Sequence, residues 1–235
     1  MRILYLDCLR GINAIASLAS LIDAGPPASQ ITRRLRFLPG GCTLRPSHTV
    51  VDGLRVMRIE LDTPEVSHSA RLNDIRTLMD ASGLSLEVGE FVFGVYQRLA
   101  AAEARVHGST IETVSFQEVG AARSVVAIIG AALALEMLGP VHVVASPLPA
   151  GGGIVETHHG RLPVPAPATT ELLRDLPVQD TGQMGELVTP TGVALVSQIA
   201  SSFGPMPRMI VERVGQGIDD QRTPVLLTRV LDGHT

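Results

Sequence analysis

Lysine is missing altogether: all 19 basic residues of this 235-residue chain are arginine. Without lysine there is no Schiff-base amine, no P-loop lysine and no lysine general base. Tryptophan is absent too, and the aromatic share is only 3%, so a core has to be built from Leu, Val, Ile and Ala. Scarce aromatics leave few stacking platforms for bases. The arginines are scattered, densest at Arg33, Arg34 and Arg36, and the formal net charge is -4. No nucleic-acid partner is therefore expected. Cys8 and Cys42 are too few for a disulfide framework and fit no zinc spacing, which predicts two free thiols in a reducing compartment. The longest apolar run, residues 124–138, contains Gly130 and Glu136 and falls short of a membrane span. The N-terminus lacks a signal-peptide pattern. A cytoplasmic protein with no membrane partner is expected.

What is present points to a packed fold. Apolar residues make up 45% and charged residues 18%, with a mean hydropathy of +0.27, the opposite of a disordered composition. Residues 3–8 read as a buried strand and are followed by a helix to about residue 23, which Gly25-Pro26-Pro27 stops. Residues 54–62 alternate Met57, Ile59 and Leu61 with Arg58, Glu60 and Asp62, the pattern of a half-buried strand. Two amphipathic helices follow, one carrying Leu72, Ile75, Leu78 and Met79 and ending near Gly83, the other running from Val88 to about residue 106. A helix over 122–138 is apolar nearly all round, as a core or a subunit contact requires. Residues 141–145 read as a strand, and 146–167, rich in proline with Gly151-Gly152-Gly153, as ordered loop. Helices over 168–175 and 191–202 and strands over 209–214 and 224–231 complete the chain. The fold class is α/β or α+β, and the pattern does not decide between them.

Chemistry-bearing residues are individually weak signals. None of the seven histidines pairs with another His or a Cys at i,i+4 spacing, and adjacent His158 and His159 point opposite ways on a strand. Glu118, ahead of the apolar helix, suits either a cap or a general base. The glycine run 151–153 can bring backbone amides to a phosphate. Thr189 and Thr191 place two hydroxyls at a helix start, where an anion can bind and where N-capping is the plainer role.

Longer strings are more specific. Tyr5-Leu6-Asp7-Cys8 with Gly11-Ile12, Asp74-Ile75-Arg76, residues 101–108 (AAEARVHG) and Glu118-Val119-Gly120 occur in an order that resembles one family. Residues 146–149 (SPLP), 159–169 (HGRLPVPAPAT) and 186–192 (ELVTPTG) continue the likeness over nearly the whole chain. The chain resembles the N-terminal domain of the LarC-type nickel-insertion proteins of nickel-pincer cofactor biosynthesis. The resemblance implies one domain over residues 1–235, without the family's C-terminal CTP-binding domain. It also implies nickel insertion into a pyridinium dithiocarboxylate mononucleotide with consumption of CTP.

Departures from the family pattern shape the functional expectation. Ile15 stands where the family has an acid, Ser115 and Gln117 stand for two histidines around Phe116, and Arg123 and Ala127 replace two aspartates. Nickel favours imidazole donors, and a cation needs charge compensation. The leading expectation is therefore a domain that has lost its metal ligands and takes a small organic substrate in a largely apolar pocket. It would be a metal-independent cyclase of specialised metabolism, without a cofactor, working by proximity and desolvation. Glu118, Gln117, His159 and Arg123 are then the catalytic candidates, and Asp7, Ile15, Phe116, Ala127, Thr189 and Thr191 the substrate-binding ones, with no metal ligand. Two other readings stay open. One is a nickel-inserting subunit using Asp7, Asp74, Glu118 and His159 with a separate CTP-binding subunit. The other is a non-catalytic binding partner, and a homo-oligomer is compatible with each.

Overall fold

The opening run lacks polar alternation because both of its faces are covered: Ile3, Leu4, Tyr5, Leu6 and Cys8 are all buried. In the computed structural model, which describes residues 1–63, 70–116, 122–157, 160–219 and 224–235, this run is β1 (Arg2–Arg10), in the middle of a sheet. It is followed by α1 (Ala14–Asp23), α2 (Ala28–Arg34), β2 (Thr43–Val51), β3 (Leu54–Asp62), β4 (Ala70–Arg71), α3 (Leu72–Asp80) and α4 (Leu86–His107). Next come β5 (Ser115–Phe116), α5 (Ala122–Leu138), β6 (His142–Ala145), β7 (Leu148–Pro149), β8 (Ile154–Thr157) and β9 (Gly160–Pro163). The chain closes with α6 (Pro167–Leu172), β10 (Val178–Gln179), α7 (Pro190–Ile199), β11 (Ser202–Phe203), β12 (Ile210–Asp219) and β13 (Leu226–His234).

Among the described residues the main sheet has seven strands in the order β11-β6-β1-β13-β12-β3-β2. It is mixed: β1 runs parallel to β6 but antiparallel to β13, and β12 runs parallel to β3. The class is α/β with a mixed sheet. Helix α1 lies on this sheet, and its seat is made of glycine. A Cβ at Gly217 would sit 2.2 Å from the Ala16 carbonyl oxygen, and one at Gly215 only 1.9 Å from that of Ser20. The same glycines weaken the strand signal, which is why β12 extends well past the expected end at 214.

Helix α5 settles its two readings in favour of the core. Residues 125–134 are all buried, with Gly130 facing Leu18 of α1. Helix α2 and strand β2 were not expected. Leu44 is the one buried residue of β2, which sits at the sheet edge and contains Pro46, so it shows no period-2 pattern. Residues 146–167 hold three short strands within the expected loop. No helix among the described residues is long and apolar enough to cross a membrane.

Candidate functional site

The last turn of α4 forms one wall of a cleft of about 890 Å³. Ser85 starts this helix by accepting the Val88 N–H, and Gly108 ends it in the left-handed conformation, φ 61°, with its N–H on the Ala104 carbonyl. Between those caps, Glu103 and His107 fall on the same helix face and both line the cleft. The glutamate Oε2 and the imidazole Nε2 are 3.3 Å apart. A second wall comes from Ser109 and from Thr113 to Phe116 of the following segment, with Ser124 of α5. Phe116 is fully buried and held by Tyr96, ring centroids 5.2 Å apart.

The remaining walls come from the proline-rich half. Val155, Glu156, Thr157 and Leu162 belong to the antiparallel pair β8–β9, and residues 166–168 to the start of α6. Glu186, Thr189, Pro190 and Thr191 lead into α7. The Thr189 hydroxyl accepts the Gly192 N–H at 3.1 Å and lies 3.2 Å from that of Thr191. Capping is thus the role Thr189 visibly plays. The α7 start reaches the end of β1 because Gly192 has no side chain: a Cβ there would lie 2.4 Å from the Ile12 carbonyl oxygen.

Phe116, Thr189 and Thr191 are the sequence candidates that the structure brings together in this cleft. Asp7, Ile15 and Ala127 are buried and outside its described lining. Asp7 is engaged by Arg229 at 3.0 Å and by the Leu9 N–H at 3.1 Å, while Ile15 and Ala127 pack in the main core. Arg123 is half-buried in the first turn of α5, again outside the described lining. Asp74 is exposed and accepts the Arg71 N–H at 2.7 Å, capping α3. Gln117, Glu118, His158 and His159 lie outside the described residues. The glycine run 151–153 does not form a phosphate nest. The Gly152 N–H donates to Gly185, and a Cβ at Gly151 would meet the Gly185 oxygen at 2.3 Å, so these glycines let two backbones touch.

The cleft is not largely apolar, as had been expected. Its described lining carries Glu103, Glu156, Glu186 and His107, several hydroxyls and no arginine. Glu156 is paired from outside the lining by Arg161 at 3.2 Å. The carboxylates and the imidazole are donors that suit a divalent cation. Among the described residues, however, no three His, Cys, Asp or Glu side chains converge as a complete metal site. Both cysteines are free; Cys8 is fully buried, which pushes its thiol pKa up, and it lies outside the described lining of the cleft. Sequence reasoning missed Glu103 and His107 because it looked for His or Cys partners at i,i+4. The string AAEARVHG held the signal as a Glu–His pair at that spacing.

Comparison with known proteins gives this cleft its context. The family model described as nickel insertion protein matches residues 4–232. A relative from Geotalea uraniireducens, named for nickel insertion, is 44% identical over 220 residues, covering 92% of this chain and 56% of its own. Another from Citrifermentans bemidjiense, also named for nickel insertion, is 41% identical over 244 residues, covering 100% of this chain and 62% of its own. The pyridinium-3,5-bisthiocarboxylic acid mononucleotide nickel insertion protein of Desulfitobacterium hafniense is 40% identical over 230 residues, 97% of this chain and 57% of its own. This chain thus spans 56% to 62% of the length of these relatives. No solved structure matches it.

These matches overturn the expectation of a metal-independent, cofactor-free cyclase. That reading rested on imidazoles and carboxylates replaced at positions 15, 115, 117, 123 and 127. It overlooked donors that enter the cleft from α4, where Glu103 and His107 stand. With the family model matched almost end to end and relatives at 40% to 44% identity, the chain belongs to the nickel insertion protein family.

Proposed function

We propose that the chain acts as an enzyme of cofactor biosynthesis, inserting nickel into a mononucleotide that carries thiocarboxylate groups. Nickel ion and mononucleotide are both substrates. One observation carries the reading beyond family membership: a cleft lined by three glutamates and a histidine, with no arginine among its described lining residues. Such walls lower the energy of a divalent cation relative to bulk solvent. The cleft volume of about 890 Å³ accommodates a nucleotide-sized ligand. Val155 and Leu162 supply apolar surface for a heteroaromatic ring. Hydroxyls of Thr189 and Thr191 offer polar anchors at the start of α7.

The nucleoside triphosphate step that the family resemblance implies is assigned, in this proposal, to sequence beyond these residues or to a partner subunit. Gln117 and Glu118 come one and two positions after Phe116, and His159 two positions after Thr157, both of which line the cleft; all three are proposed to act on the bound substrates. The test loads untagged protein with nickel chloride, with and without the bisthiocarboxylic acid mononucleotide, then desalts it. Elemental analysis and mass spectrometry are expected to find the mononucleotide retained, with nickel near one per chain when both substrates are supplied. Protein that keeps neither substrate would overturn the proposal.

A further inference from the structure

Glu103 and His107 occupy the last turn of α4 with both side chains on the cleft wall. Their facing oxygen and nitrogen are 3.3 Å apart. Metal bonds of about 2.1 Å place two donors at this spacing on neighbouring corners of one ion, at an angle of roughly 100°. A helix-terminal ion pair explains why a glutamate and a histidine approach each other here. It does not explain why the pair faces a cleft that also receives Glu186 and Glu156 and no described arginine. The glutamate side chain is 23% exposed and the histidine 42%, so an ion can reach both.

The pair supplies two donors, and an ion held by two protein donors alone keeps most of its coordination positions open. That is poor for storage and good for delivery. Imidazole and carboxylate bind Ni²⁺, while a thiocarboxylate sulfur can displace water from an open position and then displace the protein donors. Each exchange forms one metal–sulfur bond and breaks one bond to water, oxygen or nitrogen, and no electron changes hands. We propose that Glu103 and His107 form a two-donor loading site for Ni²⁺, from which the ion passes to the sulfur donors of the mononucleotide. This rests on the nickel-insertion reading above.

The experiment is a calorimetric titration of untagged wild type, Glu103→Gln and His107→Ala with nickel chloride, with melting temperature as a control for folding. Each substitution is expected to weaken nickel binding at least about tenfold, since even outer-shell changes cost that much. Without using a variant, paramagnetic broadening of the His107 ring resonances by substoichiometric Ni²⁺ is expected in ¹⁵N-histidine-labelled wild type. Wild type that binds nickel while both variants bind it equally well, with His107 unbroadened, would overturn the loading site and leave nickel insertion standing. Wild type that binds no nickel would overturn both.

Discussion

Asp232 is completely buried, and its carboxylate lies between two arginines. Arg2 donates to it at 3.1 and 3.0 Å and Arg213 at 2.8 Å, while Arg2 also donates to the Leu138 carbonyl at the end of α5. Burial pushes the Asp232 pKa up, but the hydrogen bonds and charges of Arg2 and Arg213 outweigh it and hold the carboxyl below its ordinary value. A carboxyl depressed in the folded state adds stability above its unfolded pKa of about 3.9 and loses it as pH falls through the lower folded value. Asp232→Ala leaves both arginines without their shared anion and is expected to cost about 3 kcal/mol, read as a lower urea midpoint at pH 7. The gap between variant and wild type should shrink below about pH 4. The residues themselves were legible in the sequence, but their partnership was not: Arg2 and Asp232 are 230 positions apart, and no local pattern joins them.

Strand β12 and helix α1 show the next scale, where the fit of one element fixes another. Gly215 and Gly217 let α1 approach the sheet closely enough that any side chain would collide with its backbone. Gly217→Ala is therefore expected to cost about 3 kcal/mol, the upper end of the usual range for overpacking, measured by urea denaturation. Gly204→Ala is the control, because a Cβ there meets nothing within 4 Å and should shift stability by less than about 0.5 kcal/mol. Strand β3 over 54–62 was readable because burial of one face writes a period into the sequence, and α5 over 122–138 because a helix buried on nearly all sides is apolar throughout. Edge strand β2 and the short strands of 146–167 were not, since few of their side chains are buried and prolines interrupt them.

At the scale of the whole molecule, the cleft draws its described walls from α4, the segment before α5, the β8–β9 pair, α6 and the start of α7. Binding at such a junction stabilises all of these elements together. Free nickel at about one hundred times its dissociation constant is expected to add about 2.7 kcal/mol. For a chain of this size that raises the melting temperature by about 5 °C or more, with magnesium at the same concentration leaving it unchanged. A scan that shows equal melting temperatures with and without nickel would count against nickel binding to the folded chain.

By itself the sequence determined the chain's composition of core, its principal helices and strands, and its family, because long strings such as PVPAPAT and ELVTPTG are specific and burial leaves periodic marks. It also drew Phe116, Thr189 and Thr191 into the set of candidates. Tertiary structure alone decided that these three share a cleft, that Asp7, Ile15 and Ala127 belong to the packed interior instead, and that Glu103 and His107 line that same cleft. The physical reason is the same in each case. Whether a polar side chain caps a helix, pairs with a distant arginine or opens onto a cleft depends on neighbours brought in from elsewhere in the chain, and local pattern carries no record of them.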